Sequence, residues 1–80
     1  MMAEYSKQAA KVIERIDVTI KGRILNGISK IPAGDIVKMR GHDELYRLRI
    51  GGWRIIFSYL QTDEVFIVTI APRGQVYKEV

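Results

Sequence analysis

One dipeptide constrains this chain more than any other feature: Gly51-Gly52, set between two runs, 45–50 and 53–60, that are rich in β-branched and aromatic residues. Two glycines between such runs specify a two-residue hairpin turn, because the favoured turns need positive φ at one or both central positions and glycine takes that conformation without steric cost. The turn sets the register. Ile50 faces Trp53, Arg49 faces Arg54, Leu48 faces Ile55, Arg47 faces Ile56 and Tyr46 faces Phe57. Successive side chains of a strand point to opposite sides of the sheet, so Tyr46, Leu48, Ile50, Trp53, Ile55, Phe57 and Tyr59 share one apolar face. Arg47, Arg49 and Arg54 share the other, beside Ile56 and Ser58.

An apolar sheet face needs a cover, and the N-terminal half supplies one. Between residues 6 and 16 the apolar Ala9, Val12, Ile13 and Ile16 recur at spacings of three and four, opposite Lys7, Lys11, Glu14 and Arg15. This is the pattern of a short amphipathic helix, with Ser6 as its N-cap. Asp17 caps a second helix whose stripe is Ile20, Ile24, Leu25, Ile28 and Ile31, ended by Pro32 and Gly34. A third strand is expected over residues 65–71. If Leu60 pairs with Val65, then Phe66, Val68 and Ile70 face the core, while Ile67, Thr69 and Ala71 fall on the arginine face. Residues 2–5 offer a short fourth strand. The expected fold is α+β: an N-terminal helical hairpin packed on a small antiparallel sheet of three to four strands, one domain spanning residues 1–80.

Eighty residues, 48% of them hydrophobic, can close one modest core. With no cysteine in the chain, neither disulfides nor thiolate metal sites reinforce it, and packing must suffice. The longest apolar stretches fall far short of the ~20 residues that span a bilayer. The start Met1-Met2-Ala3-Glu4 lacks the charged-then-apolar order of a signal peptide. A cytoplasmic location with no membrane partner is expected. Thirteen Lys and Arg against nine Asp and Glu leave a formal charge of +4, which attracts polyanions but does not by itself identify one.

The placement of the charge says more than its sum. An arginine-bearing face is compatible with ordinary solvation of an open sheet. However, like charges directly opposite across two strands are destabilising, and the hairpin register sets Arg49 against Arg54. No acidic residue of the expected strands lies beside them on that face. The pattern points to an anion site. His42, in the loop 41–43, reads as a turn residue rather than a catalyst, and a lone histidine builds no ordinary zinc site.

The segments Met39-Arg40-Gly41, Leu45-Tyr46-Arg47-Leu48-Arg49-Ile50-Gly51-Gly52-Trp53-Arg54-Ile55-Ile56-Phe57 and Ile70-Ala71-Pro72-Arg73-Gly74-Gln75-Val76-Tyr77-Lys78 resemble the RelE/ParE toxin superfamily. The preceding helical hairpin extends the likeness over nearly the whole chain. The ending Arg-Gly-x-Val-Tyr-Lys resembles the ribonuclease members more than the gyrase-poisoning ones. The resemblance implies the toxin of a type II toxin-antitoxin system: a ribosome-dependent endoribonuclease that cleaves mRNA without a metal or other cofactor, held inactive by a cognate antitoxin protein. It implies that the message's own 2′-OH attacks the adjacent phosphate. Arg47 and Arg49 match the family's basic pair, Arg54 its phosphate-binding arginine, and Arg73 and Tyr77 its C-terminal pair. Lys38 and Arg40, with Arg47 and Arg49, would extend a basic track along the RNA. The run before Ser6 is short for the family, which implies a first strand cut back or missing. With three residues after Tyr77, no C-terminal helix is expected to fix that tyrosine. A ParE-like inhibitor of DNA gyrase and an inactive RNA-binding relative remain the alternatives.

Overall fold

In the computed structural model the described residues are 1–42 and 44–72. The chain runs β1 (Met2–Tyr5), α1 (Lys7–Arg15), α2 (Val18–Ser29), β2 (Asp35–Lys38), β3 (Tyr46–Ile50), β4 (Trp53–Gln61) and β5 (Glu64–Pro72). The strands form one sheet in the order β1-β5-β4-β3-β2, with two helices on one side. The α+β architecture is as the sequence implies. The sheet has five strands rather than three or four, and it is mixed, because β1 pairs parallel to β5 while the other pairings are antiparallel.

Both helices begin where short polar side chains can satisfy free N–H groups. Ser6 Oγ accepts from the Ala9 amide at 3.1 Å. Asp17 Oδ2 accepts from the amides of Thr19 and Ile20 at 2.9 and 3.4 Å. Such caps stabilise a helix by about 1 kcal/mol each. Ile24 and Ile28 of α2 and Ala9 of α1 are buried against Leu48, Ile55, Phe57, Val65, Ile67 and Ile70 of the sheet. At Gly27 any Cβ would collide with the Ile50 side chain, so the glycine lets α2 lie close over β3. On the same face Tyr46 stacks on Phe57 with ring centroids 5.6 Å apart, and both meet Tyr59 edge-on.

The β3–β4 register is the one the glycine turn dictates, from Ile50↔Trp53 to Tyr46↔Phe57. Gly51 takes φ of 56°, the only positive φ in the pair. The β4–β5 register departs from expectation. It begins as predicted, with Arg54↔Ala71 and Ile56↔Thr69, then shifts so that Phe57 pairs with Ile67 and Tyr59 with Val65. Val68 is thereby left as a bulge, and an extra residue in one strand reverses the facing of everything beyond it. Val65 and Ile67, both 0% exposed, enter the core under the helices. Val68 instead packs with the cluster on the opposite face, contrary to its expected place in the core.

The first strand is present. Residues 2–5 pair with 64–67, and the Ser6 amide extends the ladder to Ile67 O at 2.9 Å. Beyond that point two side chains of the α1 start take over the β5 edge. Ser6 Oγ donates to the Val68 carbonyl at 2.7 Å. Gln8 donates to the Ile70 carbonyl at 2.9 Å and accepts from its amide at 3.1 Å. An edge that would otherwise offer open backbone groups is closed by the helix lying next to it.

Candidate active site

The helix-free face of the sheet is a grid fixed by three pairings. One row across β2, β3, β4 and β5 reads Asp35, Arg49, Arg54, Ala71; the next reads Val37, Arg47, Ile56, Thr69. Toward the β2–β3 loop lie Met39 and Leu45, joined by a 2.9 Å bond from the Met39 amide to the Leu45 carbonyl. Together with Val68 these two side chains pack on Ile56 and Ala71, which are 2% and 6% exposed. This face is therefore a second, smaller apolar cluster with cations set into it, and its centre is dry.

Arg54 sits at that centre and is only 3% exposed. Arg47 is half-buried beside Ile56, and the Nε atoms of both are shielded from solvent. Both arginines are engaged in further contacts. A charge withdrawn from water interacts with whatever lies beside it through a lower effective dielectric than an exposed one does. Arg49 differs, with a side chain 44% exposed. Three of the arginines expected to act together thus share one face within two adjacent rows.

The other sequence-predicted residues divide differently. Lys38 pairs with Tyr46 and, by the alternation of β2, shares the helix-side face with Ile36, so it does not continue the arginine track. Arg40 is exposed in the loop that follows β2. Arg73 and Tyr77 lie outside the described residues. His42 belongs to the β2–β3 loop, where its amide donates to the Met39 carbonyl at 3.3 Å. Among the described residues no group of His, Cys, Asp and Glu side chains is placed to hold a metal ion, and no helix is long and apolar enough to cross a membrane.

The charged residue of this face that the sequence pattern does not place there is Asp35; Val37, Met39 and Leu45 join it unannounced as well. Asp35 lies directly across from Arg49, with its Oδ2 3.9 Å from Arg49 Nε, so the arginines do have an acidic neighbour. The omission follows from not recognising β2. The signal was present as the alternation Asp35-Ile36-Val37-Lys38, separated from Tyr46 by a loop containing Gly41.

Residues 3–77 match the family described as ParE toxin of type II toxin-antitoxin system, parDE. Among solved structures, a chain of the RelB-RelE antitoxin-toxin complex from Methanococcus jannaschii superposes with a TM-score of 0.74 at 22% identity, covering 94% of this chain and 95% of the other. A chain of the archaeal RelE-RelB complex from Pyrococcus horikoshii gives 0.73 at 25% identity, covering 92% and 96%. One from the intact Escherichia coli RelBE toxin-antitoxin complex gives 0.69 at 16%, covering 92% and 96%. No curated protein sequence gives a significant match.

Proposed function

The chain belongs to the ParE toxin family of type II toxin-antitoxin systems, within the RelE/ParE superfamily, and from that premise we propose that it is a cytoplasmic, ribosome-dependent endoribonuclease that cleaves mRNA. The observation that carries this reading is the cluster of Arg47, Arg49 and Arg54 on one sheet face, with Arg54 buried in its centre. Attack by an internal 2′-OH builds negative charge on the non-bridging phosphate oxygens. Cations held in place before the reaction stabilise that charge more in the transition state than in the ground state. A guanidinium can grip two phosphate oxygens at once. Because Arg54 is almost fully covered, a phosphate meets the exposed Arg49 first and reaches Arg54 only as the surrounding face yields.

Arginine stays protonated at working pH and cannot be the base. Tyr77 is the proposed base. Its hydroxyl, ordinarily with a pKa near ~10, would become more acidic beside a group of arginines and take the 2′-OH proton; as the P–O5′ bond breaks and a 2′,3′-cyclic phosphate forms, Arg73 would pair with the departing 5′-oxyanion, which then takes a proton from water. No metal or other cofactor is required by this scheme. The RelB-containing complexes matched above support a cognate antitoxin as the physiological partner, which would cover the arginine face.

The test is single-turnover cleavage of mRNA on ribosomes. Arg54→Ala should lower the rate by at least ~10²-fold, as loss of one oxyanion donor does elsewhere. Arg54→Lys, which keeps the charge but loses the planar fork, separates phosphate binding from simple loss of packing. Tyr77→Phe should lower the rate by about 10²- to 10⁴-fold with folding unchanged. The ParE description of the matching family favours a second reading, inhibition of DNA gyrase. Intact messages together with blocked gyrase in cells expressing the wild type would establish that reading in place of the first.

A further inference from the structure

Asp35 opens β2 directly after Gly34, whose φ of 125° only glycine adopts readily. The Ile36 amide closes this turn on the Gly34 carbonyl at 3.0 Å. Asp35 is thereby delivered to the rim of the sheet, in the row that continues through Arg49 and Arg54. Its side chain is 55% exposed and that of Arg49 44% exposed. Their separation of 3.9 Å is an ion-pair distance, too long for a hydrogen bond. Arg49 is thus flanked by opposite influences, a carboxylate across β2 and a like charge across β4.

We propose that Asp35 is a counter-charge that holds Arg49 in check and must be displaced by an RNA phosphate, so that it sets the affinity of the arginine face for polyanions. The inference rests on the function proposed above. A loose, half-exposed ion pair adds little to stability, which leaves Arg49 easy to detach. The carboxylate nevertheless cancels charge at Arg49, the one arginine of this face among the described residues that solvent reaches readily. A single weak anion gains little by replacing it. A strand that reaches Arg49 and then its neighbours gains several contacts at once and displaces it. Asp35 also relieves the repulsion between Arg49 and Arg54, so its removal should tighten RNA binding while slightly lowering stability. A purely structural residue would move both in the same direction.

The experiment is fluorescence anisotropy with a labelled single-stranded 2′-O-methyl oligoribonucleotide, which cannot supply the attacking hydroxyl, titrated at several salt concentrations. Asp35→Asn should bind about two- to fivefold more tightly than wild type at low salt. The slope of log affinity against log salt should steepen by up to ~0.7, the value for one further phosphate neutralised on a single strand. In the Arg49→Gln background the same Asp35→Asn change should have no effect. An equal gain in that background would mean a general charge effect and would overturn the proposal. So would an unchanged affinity for Asp35→Asn where Arg49→Gln weakens binding, an outcome that leaves the RNA-binding reading standing. If the wild type and all variants fail to bind the oligonucleotide, the RNA-binding reading and the counter-charge fall together.

Discussion

The two faces of the sheet obey different physics although the same strands build them. On the helix side, Leu48, Ile55, Phe57, Val65, Ile67 and Ile70 lie under two amphipathic helices in a continuous apolar layer. On the other side, Ile56 and Ala71 are as dry as many core residues but share their surroundings with three arginines and an aspartate. Burial near a charge is expensive unless polar contacts answer it. The second face is therefore one where polar contacts must accompany burial, and its cations suit it to meeting an anion. Two faces that each contain dry residues can thus be divided between holding the fold and acting on a ligand.

Adjacent isoleucines offer the sharpest way to break this contrast, since Ile55 and Ile56 are 0% and 2% exposed and point to opposite faces. Ile55→Ala should cost about 3–5 kcal/mol in chemical denaturation, as expected where a large core cannot collapse onto the cavity. Ile56→Ala should fall near ~2 kcal/mol, the low end of the same range. Equal losses would mean that the arginine face is core in the ordinary sense. A smaller effect is expected at Ser6, which caps α1 and binds the carbonyl of the bulged Val68, the point where β5 changes facing. Ser6→Ala should lower stability by about 1–2 kcal/mol, read from the midpoint of thermal or denaturant unfolding. Thr at the same position should recover most of it.

The smallest expected effect concerns Tyr5, whose hydroxyl is pushed above its usual pKa of 10.0 by burial. A raised folded-state pKa means that the folded chain holds the proton more tightly than the unfolded one. Stability from this group is fully present below the unfolded value near 10 and is lost as pH rises through the folded value. Ultraviolet titration of the wild type should show one tyrosine ionising late, and Tyr5→Phe should remove that component together with its share of the alkaline loss of stability. A late component that persists in Tyr5→Phe would place the buried hydroxyl elsewhere.

Local rules made much of this molecule legible in the sequence. The glycine pair set the hairpin register, and with it the gathering of Arg47, Arg49 and Arg54 on one face, because a two-residue turn permits few pairings. Ser6 and Asp17 marked both helix starts, because a cap acts within three residues of itself. Other features depended on partners distant in the chain. The bulge at Val68 arises where β5 must meet β4 and also accept Ser6, more than sixty positions away in sequence. The parallel pairing of β1 with β5 leaves no turn to announce it, and β2 becomes a strand only because β3 offers it an edge. The burial of Arg54 and the carboxylate beside Arg49 follow from those long-range pairings. Alternation along one strand states which residues share a face; only the assembled sheet decides what lies beside them and how much water remains.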